Sequence, residues 1–165
     1  MGALSIPKGK RGDEINGYDP VKPGKYHCII TNVETKQTQA GKNYDLLTLE
    51  VLNGDTPGQE GKMLRQSLWC DEKTNQEGEA HIRWAWAAGI LHENQTIDFR
   101  PDMLGGCQVI IQVVQTERNG KTYTEIGNRG YDVWPLDHPE TQGVPRGNVA
   151  KPYSAGDSAF QDLNI

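Results

Sequence analysis

The chain has 165 residues with 19 glycines, 9 prolines and 35% hydrophobic residues, so we expect one folded domain together with less ordered segments. The formal net charge of −5 argues against a protein coated with positive charge. No apolar stretch reaches the length of about eighteen residues that a membrane span needs, and no apolar leader precedes residue 25, so membrane insertion and secretion are not expected.

Three cysteines stand singly inside strand-like runs and share no metal-ligand or disulfide-scaffold spacing: Cys28, Cys70 and Cys107. Isolated cysteines of this kind indicate small buried side chains in a reducing compartment. We therefore expect neither disulfides nor zinc ligands.

Three strands with period-two alternation are predicted first, over residues 25–35, 44–52 and 62–70. One face of the first two strands is apolar and forms the start of a core: Tyr26, Cys28, Ile30, Leu47, Leu49 and Val51. In the third strand Trp69 opposes Leu68, so an inward Leu68 would direct the indole outward.

A helix of about three turns is predicted next, over residues 80–91, because the apolar period changes there to that of an amphipathic helix. Ile82 and Trp86 lie on one apolar stripe, and Trp84 lies on a neighbouring one. We expect both tryptophans to pack against the sheet.

An Asn-Gly pair at residues 119–120 lies between two strand-like runs within residues 105–134. This pattern predicts a β-hairpin, because both central residues of a type I′ turn need a positive φ. Three strands, one helix and two strands is the order of the OB fold, a five-stranded Greek-key barrel that is mainly β. We predict this barrel over residues 25–136, with a flexible arm over residues 1–24 and a disordered tail over residues 137–165.

Basic residues gather in the predicted loops between strands 1 and 2 and between strands 4 and 5, which bind oligonucleotides in OB folds. Single-stranded nucleic acid is held by cations along its phosphates and by aromatic rings under its bases. The predicted nucleic-acid-binding residues are Lys36, Lys42, Tyr44, Arg65, Trp69, Arg118, Lys121, Tyr123 and Arg129. Arg65 and Arg129 are placed within strands 3 and 5. The simpler interpretation is that the cations are solvated charges and the aromatics are half-buried in the barrel.

No catalytic or metal-binding set follows from the spacing. Asp71 and Glu72 are adjacent acids without a partner base, which is typical of a solvated loop. The four histidines fall at no metal-ligand spacing, and no phosphate-binding glycine motif occurs. The sequence therefore predicts no catalytic residues, no metal and no cofactor.

An unstructured tail does not need apolar side chains placed between acidic ones. The last nine residues have this pattern, formed by Asp157, Phe160, Asp162, Leu163 and Ile165. We interpret them as a docking motif for another protein or for the protein's own basic groove. A frayed terminus is the simpler alternative.

Four segments share a pattern of glycine and aromatic residues with a known protein family: residues 18–26, 40–47, 61–69 and 104–106. These segments resemble phage-encoded single-stranded-DNA-binding proteins of the OB-fold type, a family long described only as a domain of unknown function. The resemblance covers residues 18–136 and implies coating of single strands during phage DNA replication or recombination, in the cytoplasm of a bacterial host. It also implies recruitment of replication or recombination proteins by an acidic tail, although family members often end in Pro-Phe and this chain ends in Asn164-Ile165.

The leading expectation is a non-enzymatic, largely sequence-independent binder of single-stranded DNA, with no membrane partner. The alternative is an OB-fold structural or protein-docking module that binds no nucleic acid. A nuclease or other enzyme, dependent on a divalent metal, is a third hypothesis. The preference between DNA and RNA, the number of nucleotides covered and a homodimer are left open by the sequence.

Overall fold

The computed structural model describes residues 2–6, 8–9, 11 and 19–148. The protein is mainly β, with one antiparallel sheet of six strands: β1 (Gly24–Gln37), β2 (Asn43–Gly54), β3 (Met63–Trp69), β4 (Gln108–Arg118), β5 (Lys121–Ile126) and β6 (Val133–Trp134). Helix α1 (Glu79–Ala87) lies between β3 and β4, as predicted, and short 3₁₀ turns occur at Pro101–Leu104 and Pro139–Thr141. Within these described ranges no helix combines the length and apolar character needed to cross a bilayer.

The strands follow the order β3-β2-β1-β4-β5, and β6 pairs with β4. The end strands β3 and β5 approach each other, with Cα atoms within 8 Å, but they share no ladder of hydrogen bonds. The prediction of a closed five-stranded barrel was therefore wrong in two respects. The sheet has a sixth strand, and it stays open along a seam between β3 and β5, which we call the β3–β5 seam.

Strand β5 is shorter than predicted because the backbone turns sharply after Ile126. Asn128, Arg129 and Gly130 have φ values of 52°, 54° and 87°, which no strand can accommodate. The chain resumes pairing with β4 only at Val133. The interruption divides the predicted fifth strand into β5 and β6.

The core forms between the sheet and α1. The six side chains predicted to face inward from β1 and β2 are all buried: Tyr26, Cys28, Ile30, Leu47, Leu49 and Val51. Cys28 and Cys70 are buried, as predicted, whereas Cys107 is only half-buried. Burial of this kind raises the pKa of the Cys28 thiol far above its usual range, so the thiol is unreactive.

Helix α1 is shorter than predicted and rotated relative to the predicted stripe. It ends at Ala87 because Gly89 adopts a positive φ of 80°, a common helix terminator. Trp84 is fully buried and its indole Nε1 donates a hydrogen bond of 2.9 Å to the Gly130 carbonyl. That bond turns Ile82 to solvent, where it is 57% exposed, and leaves Trp86 half-buried. The prediction that Ile82 lies on the packing stripe was therefore wrong, whereas Trp86 packs against the core, as predicted.

Packing extends beyond both ends of the predicted domain. Val21 is buried, and the Lys62 ammonium lies 3.1 Å from the Asp19 carboxylate. At the other end Val144 packs against Trp134, and the Gly147 amide donates to His27 Nδ1 at 3.0 Å. The folded region therefore includes residues 19–24 and 137–147 as well as residues 25–136.

Candidate nucleic-acid interface

The strand register defines a continuous outer face on β1, β2 and β3. Asp45, Leu47 and Leu68 point inward and are buried, so the alternate residues point outward. Three rows of cross-strand neighbours form this face: Lys36, Tyr44 and Trp69; Glu34, Leu46 and Ser67; Asn32, Thr48 and Arg65. Every member of these rows is at least partly exposed. We call this surface the three-strand face.

An aromatic pair lies at one end of the three-strand face. The ring centroids of Tyr44 and Trp69 are 4.5 Å apart, with the planes tilted by 33°. Trp69 is 44% exposed, which confirms the outward direction predicted for its indole. Lys42 comes from the turn between β1 and β2 and places Nζ 5.2 Å from the centre of the indole. The arrangement combines a flat ring with a cation, as stacking sites for nucleic acid do.

The β4–β5 hairpin carries a second such combination. Its turn residues Asn119 and Gly120 have φ values of 53° and 76°, which confirms the predicted hairpin. The Arg118 guanidinium lies 4.5 Å from the ring centre of Tyr123, and Tyr123 is 40% exposed. Lys121 faces Arg118 across the hairpin. The aromatic side chain and both predicted cations of this hairpin thus lie next to one another.

Arg129 is presented by the turn that follows β5. The prediction that it lies within a strand was wrong, because its φ of 54° belongs to the left-handed region. This conformation costs a residue with a side chain about 1–2 kcal/mol. Gly130, next in the chain, packs so closely that an added Cβ would collide with the side chain of Gln66 on β3. Exposed Arg129 therefore lies on a turn that contacts both β3 and β5, at the β3–β5 seam.

The six predicted cations fall into two groups. Three form ion pairs with nearby acids: Lys36 with Glu34 at 3.5 Å, Lys42 with Glu72 at 3.8 Å, and Arg118 with Glu125 at 3.0 Å. Within residues 19–148 the side chains of Arg65, Lys121 and Arg129 form no hydrogen bond or ion pair, and all three are exposed. Lys36 belongs to the end of β1 and not to the predicted turn.

The acids predicted to occupy a solvated loop do so. The Asp71 carboxylate accepts hydrogen bonds from the backbone amides of Lys73 and Thr74, which closes a local turn. Glu72 has a side chain that is 88% exposed. The predicted docking residues of the tail, from Asp157 to Ile165, lie outside the described residues.

A buried polar cluster joins α1 to the sheet, and sequence spacing did not reveal it. His81 Nε2 lies 2.7 Å from the Asp45 carboxylate, whose other oxygen accepts from the Thr35 hydroxyl at 2.6 Å. The potential ligand atoms of Asp45, Cys70 and His81 lie within 4.8 Å of one another. The one available signal was an acid at an inward position of β2, because a buried carboxylate needs partners.

This cluster has the ligand types of a zinc site, but hydrogen bonds already occupy the ligand atoms of Asp45 and His81. His81 Nδ1 accepts from the Gly78 amide at 3.2 Å, so the ring proton lies on Nε2 and points at Asp45. Burial, followed by the nearby carboxylates of Asp45 and Glu77, raises the pKa of the Cys70 thiol, which keeps it protonated. We interpret the cluster as a hydrogen-bonded link between β2 and α1.

These observations define the class of protein: a mainly β protein whose open antiparallel sheet presents aromatic and cationic side chains on its outer face. The model of the family described as "Protein of unknown function (DUF669)" matches residues 11–134. The chain belongs to this family. No curated protein matches the chain.

Proposed function

We propose that this protein binds single-stranded DNA without catalysis and largely independently of sequence. The observation that carries the proposal is the repeated combination of an exposed aromatic ring with a cation over its face. Lys42 lies over Trp69 on the three-strand face, and Arg118 lies over Tyr123 on the β4–β5 hairpin. Bases of any identity can stack on such rings, and cations can follow the phosphates.

The strand order supports an OB-type architecture for this function. In OB folds the face of strands 2 and 3 and the loops between strands 1 and 2 and strands 4 and 5 bind the oligonucleotide. The order β3-β2-β1-β4-β5, with α1 between β3 and β4, is compatible with that fold. We propose an OB-type sheet whose closing contact, between β3 and β5, is made by side chains instead of a hydrogen-bonded ladder.

The mechanism assigns separate roles to the two kinds of side chain. Trp69, supported by Tyr44, and Tyr123 stack bases. The cations hold phosphates on the path between these rings: Lys36, Lys42, Arg65, Arg118, Lys121 and Arg129. Arg129 lies at the β3–β5 seam, where a strand running from the three-strand face to the hairpin would pass.

The biological setting is part of the same proposal and rests on the family resemblance. The protein would coat single strands during phage DNA replication or recombination in the host cytoplasm, as a monomer or a homodimer. Its tail residues Asp157, Phe160, Asp162, Leu163 and Ile165 would recruit a replication or recombination protein.

Fluorescence titration with oligo(dT) tests the proposal. Trp84 and Trp134 are buried and Trp86 is half-buried, so quenching on binding reports mainly on Trp69. We expect saturable quenching that weakens linearly with the logarithm of salt concentration. Electrophoretic shifts with single-stranded DNA, duplex DNA and RNA of equal length establish the preferred ligand. Unchanged emission together with no shift at low salt would overturn the proposal.

A protein-docking module is the second candidate, and helix α1 favours it. Ile82 is 57% exposed, and Trp86 lines a groove of about 580 Å³ that also includes Leu136 and His138. The groove mixes these apolar side chains with polar ones such as Glu93 and Asp137, and exposed apolar side chains suit a protein partner. A stable complex captured through α1, combined with no affinity for DNA, would favour this function over the first.

A further inference from the structure

In the proposed interface, two cations contact aromatic rings and acids of the protein itself. Arg118 lies over the Tyr123 ring at 4.5 Å and is ion-paired with Glu125 at 3.0 Å. Lys42 lies over the Trp69 ring at 5.2 Å and is ion-paired with Glu72 at 3.8 Å. Each cation thus contacts both a ring and a carboxylate of the protein itself.

We propose that Glu125 and Glu72 act as internal competitors of the DNA phosphates and thereby limit the affinity of the interface. This inference rests on the proposed function and assigns a role to two acids that the binding mechanism does not otherwise use. When DNA binds, a base displaces the cation from the ring, and a phosphate replaces the carboxylate. The acids therefore determine how readily the site releases a strand.

Glu125 is the stronger competitor because it is better held. The Thr116 hydroxyl donates to its carboxylate at 2.6 Å, and its side chain is only 32% exposed. Glu72 has an 88% exposed side chain and a longer ion pair. Ion pairs at exposed sites are weak because water screens them and side-chain entropy opposes them. The competition at Glu125 should therefore be stronger than that at Glu72.

The test uses the substitution Glu125→Gln, which keeps the shape of the side chain and an acceptor for Thr116. We expect it to tighten oligo(dT) binding by about 2- to 5-fold, the range that exposed ion pairs allow. Glu72→Gln should tighten binding less. Glu60→Gln, at an exposed acid in the turn before β3, is the matched control for loss of one negative charge.

A double-mutant cycle separates competition from long-range charge. If Glu125 acts through Arg118, the gain from Glu125→Gln disappears in an Arg118→Gln background. An equal gain in both backgrounds, or no gain in either, would overturn the inference while leaving the proposed function intact. Absence of DNA binding by the wild-type protein would instead remove the proposed function itself.

Discussion

Tyr44 and Trp69 lie directly opposite each other on β2 and β3, with ring centroids 4.5 Å apart. Because the tyrosine packs against the indole, Trp69 is held outward by contact as well as by the alternation of β3. A ring that is already fixed loses little conformational freedom when a ligand stacks on it. The pair is therefore suited to serve as a stacking platform.

Removal of the Trp69 ring should weaken binding of single-stranded DNA more than any other single change on the three-strand face. We expect Trp69→Ala to reduce affinity for oligo(dT) by about 5- to 150-fold, the equivalent of about 1–3 kcal/mol for one stacked base. Anisotropy of a labelled oligonucleotide measures the change. Ile82→Ala, which truncates an exposed side chain on α1, is the control and should bind as the wild type does.

Arg129 should contribute to the salt dependence of binding because its side chain forms no ion pair among the described residues. We expect Arg129→Gln to reduce the slope of log affinity against log salt by about 0.7, the value for one phosphate of a single strand. Arg100→Gln serves as the control, since exposed Arg100 is already paired with Asp102. An unchanged slope would place Arg129 outside the interface.

Asp45 should be required for stability and not for DNA binding as such. Asp45→Ala leaves the buried His81 Nε2–H without its acceptor, and an orphaned buried donor costs about 1–3 kcal/mol. Urea unfolding should show this loss, whereas Asp102→Asn, at an exposed acid, should cause little change.

The same cluster provides a test for a metal. If the cluster is held by hydrogen bonds alone, a chelator should leave the melting temperature of the protein unchanged. Added zinc should not raise the melting temperature either. Stabilisation by zinc that is lost in a Cys70→Ser variant would contradict the assignment of a purely hydrogen-bonded link.

His27 should make stability depend on pH. Its burial, followed by the Arg146 charge, lowers its pKa from 6.5 despite the hydrogen bond to Gln108. A lowered pKa means that the unfolded state binds the proton more tightly than the folded state does. His27 therefore costs no stability above pH 6.5, and stability falls as the pH decreases below that value.

Urea unfolding between about pH 7.5 and pH 5 measures this dependence. The comparison is with His27→Gln, which has no titrating ring at this position. The difference in unfolding free energy between the wild type and the variant should shrink as the pH falls. A difference that stays constant across the range would show that His27 does not titrate between the two states.

Much of the sheet could be predicted because its signals are local. Alternation in β1 and β2 identified the inward residues, and the Asn119-Gly120 pair identified the hairpin. Trp69 could be placed outward because its neighbours Leu68 and Cys70 are apolar and buried. These features depend on residues close together in the chain.

The features that were missed depend on distant residues. His27 resembles a polar strand position, yet it is buried because residues 141–147 cross that face and the Gly147 amide bonds to its ring. The rotation of α1 is set by the hydrogen bond from the Trp84 indole to the Gly130 carbonyl. The spacing of apolar residues within the helix gives no sign of this bond. The break around Arg129 is an exception, since Gly127, Asn128 and Gly130 are local turn formers that the alternation of residues 122–133 obscured.

The β3–β5 seam gives the molecule a place to open without unfolding. Backbone amides along these two edges lack ladder partners across the seam, so they should exchange with deuterated water sooner than those between β1 and β2. A ligand that lies across both edges would join the ends of the sheet and slow that exchange. The protein would then be most rigid when its ligand supplies the contact that its own backbone does not.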